Sequence, residues 1–254
     1  MSTQSQNQSN NTALSVLTAL FFMMGFITCM NDILIPHLKA IFDLTYFQAM
    51  LIQFCFFTAY AVMSMPMGKL VEKVGYKNGV IGGFLLTAVG CLLFYPAAGS
   101  ASYPTFLGAL FILASGVTLL QVAGNPYVPL LAKPGKESST LTLVQAFNSL
   151  GTTVAPLLGS ALILSDAATQ ATATQAEQIA SVQIPYLGLA GLLILLALFV
   201  KMIKLPDARK IAEAETEHNH DGKTSVWQYK HLVLGAVGIF CYVGAEVSIG
   251  SLLV

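Results

Sequence analysis

Residues 104–132 read PTFLGALFILASGVTLLQVAGNPYVPLLA, a run without a single charged side chain. The hydrocarbon core of a bilayer is about 30 Å thick, and a helix needs about 20 mainly apolar residues to cross it. Within that core every backbone N–H must find its partner inside the segment, which a helix achieves. This stretch therefore predicts a transmembrane α-helix.

Six further stretches have the same character. In chain order, the predicted spans are 13–38, 46–67, 78–98, 104–132, 139–164, 182–205 and 231–254. The composition agrees, since 55% of the residues are hydrophobic and 9% are charged, against about 25% charged residues in soluble domains. We predict an all-α membrane protein embedded in a lipid bilayer. The formal net charge of zero argues against nucleic acid as a partner.

Basic residues concentrate on one side of the predicted membrane. With a cytoplasmic N-terminus, eleven of the twelve Lys and Arg residues fall in cytoplasmic segments, and Lys39 is the exception. Short cytoplasmic loops carry an excess of basic residues, so this orientation is predicted. The predicted domains are a disordered tail (1–12), a six-helix transmembrane domain (13–205), a cytoplasmic linker (206–230) and the first helix of an incomplete C-terminal domain (231–254).

The sequence shows no signal for a metal, a cofactor or an enzyme. The four cysteines lie inside apolar runs without metal-type spacing: Cys29, Cys55, Cys91 and Cys241. His218 and His220 lie in the acidic linker, where we expect solvated side chains and no metal site. A membrane-embedded enzyme needs a nucleophile with its base, or a metal cluster, at membrane depth, and the predicted spans contain neither.

Two carboxylates lie well inside the predicted spans, Asp32 and Glu246. An ionised side chain in hydrocarbon costs several kcal/mol, so an intramembrane carboxylate marks a candidate functional site. Asp32 belongs to the run Asn31-Asp32-Ile33-Leu34-Ile35-Pro36. The alternative to a functional role is that Asp32 lies at the membrane interface, near the lipid headgroups.

Four carboxamides lie on the fourth and fifth predicted spans. Gln121 and Asn125 are four residues apart, and Gln145 and Asn148 are three apart, so each pair shares one helix face. Amides offer donors and acceptors without charge, which suits a hydroxyl-rich solute. The alternative is that they only join helices through interhelical hydrogen bonds.

The segment between the second and third spans combines glycines, an acid and cations, namely Gly68, Glu72, Lys73, Gly75 and Lys77. By itself it predicts a tight cytoplasmic turn. Its spacing resembles the loop motif of major facilitator transporters, in which the loop takes part in conformational gating. Glu72 stands where that motif usually has an aspartate.

Other runs resemble the fucose/hexose:proton symporter family within that superfamily. They are Asn31–Pro36, Ala123–Tyr127, Gln145–Ser149 and Cys241–Ala245, in the order and on the helices that the family has them. The resemblance covers 13–254. It implies twelve helices in two halves, each half a pair of inverted three-helix repeats, with the sugar site between the halves. The chain would then be the N-terminal six-helix bundle plus a seventh helix, truncated relative to the family.

The resemblance also implies roles for individual residues. Asp32 matches an acid of the first helix that binds sugar and takes part in coupling, and Gln145 and Asn148 match polar cavity positions. Gln121 stands where the L-fucose permease has a glutamate, and an amide cannot titrate. Glu246 is a carboxylate where that permease has an amide. We hypothesise that the ionisable role has moved to Glu246, as a proton carrier or a sodium ligand.

The sequence therefore predicts a symporter that imports a hexose across a bacterial inner membrane. Its predicted sugar-binding residues are Asn31, Asp32, Gln121, Asn125, Gln145 and Asn148, and its predicted coupling residues are Asp32 and Glu246. The coupling ion is H⁺ or Na⁺, and no cofactor is expected. An amino-sugar permease such as one for N-acetylglucosamine is one alternative, and a half-transporter that needs its missing C-terminal half is another.

Overall fold

The computed structural model describes residues 3–99, 102–162, 175–203 and 228–252. The regular structure in these ranges is helical. The helices are α1 (Thr3–Phe42), α2 (Tyr46–Val74), α3 (Tyr76–Gly99), α4 (Tyr103–Leu131), α5 (Glu137–Leu162), α6 (Gln175–Met202) and α7 (Lys230–Leu252). Each predicted span has its helix, and the all-α prediction is confirmed.

Six of the seven helices, α1 to α6, are long and apolar enough within the described residues to cross a membrane. The seventh predicted span is helical as α7, and its crossing of the bilayer stays a prediction. The chain divides into two compact units, Met1–Ile211 and Ala212–Val254. The predicted linker lies largely outside the described residues, as do His218 and His220.

Two boundaries differ from the prediction. The tail expected to be disordered is helical from Thr3, because extending a helix that already exists adds one hydrogen bond per residue without a new nucleation cost. The turn expected between the second and third spans is almost entirely helical, since α2 continues to Val74 and α3 begins at Tyr76. Gly75 alone breaks the helix, with φ of 85°, a conformation that glycine adopts without a steric penalty.

The turn between α1 and α2 is equally short. Asp43 has φ of 47°, and the α2 N-terminus follows with a reciprocal cap. The Gln48 backbone N–H donates to the Thr45 hydroxyl (3.3 Å), and the Thr45 backbone N–H donates to the Gln48 side-chain oxygen (2.9 Å). Such a capping box satisfies two N–H groups that the first helical turn leaves free.

The packing of the first six helices has an internal symmetry. Helix α1 packs against α5, and α4 packs against α2. If α1, α2 and α3 correspond to α4, α5 and α6, the α1–α5 pair corresponds to the α4–α2 pair. This is the pattern expected of two related three-helix repeats. Helix α3 packs against both α4 and α6.

Glycines bring the paired helices into backbone contact. A Cβ placed on Gly25 would overlap the backbone carbonyl of Asn148, and one placed on Gly151 would overlap that of Phe22. Between α3 and α4, a Cβ on Gly90 would lie 2.5 Å from the Cα of Leu113. In a membrane, such close approach replaces the hydrophobic effect as the main source of helix association, because lipid tails are as apolar as leucine.

Helix α4 lies at the centre of the bundle, and α2 and α5 lie at its periphery. In the most apolar segment of α4, 67% of the residues are buried. The corresponding shares are 22% for α2 and 17% for α5. Most side chains of α2 and α5 are therefore available to lipid, to solvent or to another protein surface.

Candidate functional site

Asp32 lies on α1 with its side chain exposed, beside polar residues of α2. The side chain of Gln53 on α2 lies near the Asp32 carboxyl group. One turn earlier on α1, the hydroxyl of Thr28 donates to the backbone carbonyl of Met24 at 2.8 Å and lies near Tyr60 of α2. Thr28 and Asp32 are four residues apart and so share one helix face. The α1–α2 seam thus carries polar side chains from both helices.

Four buried polar side-chain atoms of the bundle have no hydrogen-bond partner among the described residues. They are Nδ2 and Oδ1 of Asn31, Oε1 of Gln53 and the hydroxyl of Tyr186. Asn31 is only 1% exposed, so its side chain points into the bundle while that of its neighbour Asp32 does not. A buried polar group left unpaired costs about 1–3 kcal/mol. A role for Asn31 in sugar binding stays a prediction.

The carboxamides of α4 and α5 form a second polar group. Nε2 of Gln145 donates to Oδ1 of Asn125 across the two helices, at 3.3 Å. Gln145 is exposed, and Asn125 and Gln121 are half-buried. Asn148 differs, because its Nδ2 donates to the backbone carbonyl of Phe21 on α1 at 3.0 Å. Both bonds join two helices, which is the alternative role considered for these amides.

The two groups lie at different depths. Phe21 accepts the hydrogen bond from Asn148, and its ring lies 3.2 Å from where a Cβ on Gly124, the neighbour of Asn125, would be. Asp32 follows Phe21 by eleven residues on the same helix, which corresponds to about 16 Å along the axis. The Asn125–Gln145 pair and Asp32 are thus further apart than the width of one sugar ring.

Hydroxyl residues continue the exposed polar surface along α5. The polar stripe of α5 comprises Thr142, Gln145, Ser149 and Thr153, all exposed. Their spacing of three or four residues puts them on one face. The three hydroxyls bond carbonyls of their own helix, as Thr153 does to Ser149 at 2.9 Å. This stripe was missed from the sequence, although its spacing is visible there.

The predicted gating segment contains a helix cap. Glu72 and Lys73 are exposed on the last turns of α2, and Gly68 packs near Val122 of α4. Nζ of Lys77 donates to the backbone carbonyls of Lys201 at 3.1 Å and Ile203 at 2.6 Å. A cation is favourable at the C-terminal end of a helix, where carbonyls lack N–H partners. Lys77 therefore joins α3 to the end of α6.

Glu246 lies on α7, in the second unit, and its side chain is exposed. Its coupling role stays a prediction. Within the described residues, no group of three or more His, Cys, Asp and Glu side chains is placed to hold a metal ion.

Comparison with known proteins identifies the family. Residues 16–253 match the family model of the Major Facilitator Superfamily. The chain belongs to this superfamily. The resemblance seen in the motifs and the predicted fold class are thereby confirmed.

Curated relatives of this major facilitator chain are named as sugar transporters. It is 58% identical over 252 residues to the putative glucose/galactose transporter of Helicobacter pylori (strain ATCC 700392 / 26695), covering 98% of this chain and 60% of the relative. It is 56% identical to the glucose/galactose transporter of Brucella abortus biovar 1 (99% and 60% covered). It is 33% identical to the L-fucose-proton symporter of Escherichia coli K12 (98% and 60% covered). These relatives carry transporter names, in agreement with the prediction that the chain is not an enzyme.

Solved structures give the same result. The crystal structure of an alanine variant of the Escherichia coli fucose:proton symporter, FucP, superposes with a TM-score of 0.67 at 35% identity, covering 78% of this chain and 50% of that one. FucP in the outward conformation gives 0.68 at 36% identity, covering 78% and 51%. The chain spans about 60% of the length of the curated relatives it matches.

Proposed function

We propose that this chain supplies the N-terminal half of a symporter that carries a hexose across a bacterial inner membrane, with its N-terminus in the cytoplasm. The observation that carries the proposal is the exposed Asp32 on a membrane-spanning helix. A carboxylate facing lipid is costly, so Asp32 is expected to face a water-filled cavity. The relatives named as glucose/galactose transporters supply the substrate class.

The polar side chains suit a polyhydroxylated solute. Asp32 accepts hydrogen bonds from hydroxyls, and Gln145 and Asn125 both donate and accept them. A site whose buried polar groups are paired only by the correct substrate rejects analogues that lack a hydroxyl. The difference in depth between Asp32 and the amide pair suggests that the sugar contacts them at successive positions along its path.

Coupling requires a cation that binds the two transport states with different affinity. Asp32 provides a carboxylate for H⁺ or Na⁺ in the first unit. Gln121 cannot take a proton at its position on α4. Glu246 on α7 is the second candidate.

Counterflow of radiolabelled D-glucose and D-galactose into proteoliposomes containing the 254-residue chain tests the proposal. We expect Asp32→Asn to abolish sugar uptake driven by a pH or sodium gradient. Asp43→Asn is the matched control, because Asp43 is exposed outside the helices and asparagine tolerates its positive φ. Driven uptake that is unchanged in Asp32→Asn, at any gradient, contradicts the proposal.

A second candidate is a half-transporter that is inactive alone. It is favoured by the fact that the chain spans about 60% of the relatives' length. In that case the wild-type chain shows no counterflow, and co-reconstitution with the C-terminal part of a glucose/galactose relative restores it. N-Acetylglucosamine included in the sugar panel tests the amino-sugar alternative.

A further inference from the structure

We infer that the ends of α3 and α6 that meet at Lys77 bind the headgroup of an anionic phospholipid, whose acyl chains lie along exposed apolar faces of these two helices. The ligand class is a lipid with a negatively charged phosphodiester, such as phosphatidylglycerol. Neither helix carries a predicted sugar-binding residue. The inference therefore concerns the contact with the bilayer and does not depend on which solute is carried.

The ammonium group of Lys77 is held in place at this end of the bundle. Its Nζ donates to the backbone carbonyl of Lys201 at 3.1 Å and to that of Ile203 at 2.6 Å. An ammonium group has three donors, so one N–H is left for a further acceptor. Because the two carbonyls already fix the half-buried side chain, an anion that binds to it costs little additional side-chain entropy.

Positive charge exceeds negative charge at this point. Lys201 lies in the last turn of α6 with its side chain exposed. Lys77 bonds its backbone carbonyl, so the two flexible side chains can reach one phosphate group. The C-terminal end of a helix contributes the equivalent of about half a negative charge, against two positive charges. Glu72 and Lys73 are neighbours on α2 and together add no net charge. A phosphodiester carries the single negative charge that this excess favours.

Apolar surface adjoins these cations. Helices α3 and α6 pack against each other, and each is long and apolar enough to cross a membrane. Helix α3 begins and α6 ends where the two lysines lie, so both helices run from the lysines into the hydrocarbon core. Each helix has exposed apolar residues at intervals of three or four, which places them on one face. They are Leu85, Val89 and Leu92 on α3, and Leu192, Leu195, Phe199 and Met202 on α6.

A lipid fits this combination better than a soluble anion does. A soluble phosphate would contact only the two lysines, whereas a phospholipid also covers the apolar faces with its acyl chains. Basic sites between transmembrane helices bind anionic lipid headgroups in this way. The long apolar stem of a lysine lets its ammonium group reach the headgroup level while the stem stays against the helix.

Native mass spectrometry of the 254-residue chain in detergent, titrated with lipid, measures the affinity for the first lipid that binds. We expect phosphatidylglycerol to bind at least about tenfold more tightly than phosphatidylcholine with the same acyl chains. Lys201→Gln should weaken phosphatidylglycerol binding about fivefold, the size of one lysine contact. Its backbone carbonyl still accepts from Lys77, so the end of α6 stays intact. Lys77→Arg should keep the affinity.

Lys133→Gln is the matched charge control, because Lys133 is exposed outside the helices, and it should bind phosphatidylglycerol as wild type does. The acyl chains have their own pair of variants. Leu195→Gln should weaken phosphatidylglycerol binding, whereas Leu143→Gln, at an exposed position of α5, should leave it unchanged.

Three outcomes overturn the inference. The first is equal affinity of the wild type for the two lipids, and the second is an equal loss in Lys201→Gln and Lys133→Gln. The third is soluble glycerol phosphate binding as tightly as phosphatidylglycerol, together with unchanged lipid binding in Leu195→Gln. That result would show a site for a free phosphate in place of a lipid.

Discussion

The ammonium group of Lys77, at the start of α3, lies 2.6 Å from the backbone carbonyl oxygen of Ile203, just beyond the end of α6. The two residues are 126 positions apart in the chain. The contact joins the start of α3 to the end of α6, on the side of the first unit where α2 ends and α3 begins. It uses a cation of the segment that resembles a transporter gating motif, and so connects that segment to the last helix before the predicted linker.

Replacing Lys77 by methionine should destabilise the end of α6. A charge-assisted bond to backbone carbonyls contributes about 1 kcal/mol at a partly exposed site. We expect faster hydrogen exchange at Lys201–Ile203 and a melting temperature lower by a few degrees. Lys77→Arg should keep most of the stability, and Lys73→Met, on an exposed residue of α2, serves as the control. Equal exchange in Lys77→Met and wild type would show that the cap contributes nothing.

Substituting Gly25 by alanine should force α1 and α5 apart. The added Cβ would overlap the Asn148 carbonyl, and helix backbones cannot move aside as a flexible side chain can. Overpacking of this kind costs about 1–3 kcal/mol. Thermal unfolding in detergent measures the loss.

Gly108→Ala is the matched control for this substitution. Gly108 lies in α4 with open space around the position of a Cβ. Alanine there should be neutral or stabilising by up to about 1 kcal/mol, because it restricts the unfolded chain. A Gly25→Ala protein as stable as Gly108→Ala would contradict the backbone contact.

Asn148 and Gln145 should respond differently to alanine. Asn148 bonds the Phe21 carbonyl, and interhelical bonds in membranes average about 0.6 kcal/mol, so Asn148→Ala should lower thermal stability. Gln145 is exposed and its side chain bonds Asn125 across the helix pair, so Gln145→Ala should weaken sugar binding and leave the melting temperature within about 1 °C. If Asn148→Ala weakened sugar binding and Gln145→Ala lowered the melting temperature, Asn148 would be the sugar-binding residue and Gln145 the residue that joins helices.

The polar stripe of α5 should be in contact with water. Single cysteines at Gln145, Ser149 and Thr153, in a background lacking the four native cysteines, should react with a polar maleimide in nanodiscs. Cysteines at the exposed apolar positions Leu143 and Leu150 should react at least about tenfold more slowly, since a lipid-facing thiol is shielded from the reagent and remains protonated. Equal rates at all five positions would place the stripe in the same environment as its apolar neighbours.

The membrane helices could be predicted from the sequence because the bilayer imposes a length and a composition on each of them. Residues 104–132 carry both signals without ambiguity. The helix ends were less predictable. Beyond the hydrocarbon core, polar residues such as Glu72 and Lys73 are compatible with either a turn or a continuing helix, and the structure has the helix.

The candidate site was predictable only in part. Asp32 and the amides were identified by their chemistry, because polar groups in apolar spans are conspicuous. Gln53 was overlooked, since one amide near the end of a span gives no sign of its neighbours. Its position near Asp32 depends on how α1 and α2 face each other.

Chain order and residue type by themselves determined the helical class, the seven helices found within the described residues and the family, because each of these depends on local hydrophobicity or on short motifs. Only the tertiary structure decided that Asn148 joins α5 to α1, and that Asp32 lies about 16 Å along α1 from that junction. The reason is that depth and facing direction are relations between helices. They are set where glycines such as Gly25 and Gly151 let two backbones touch.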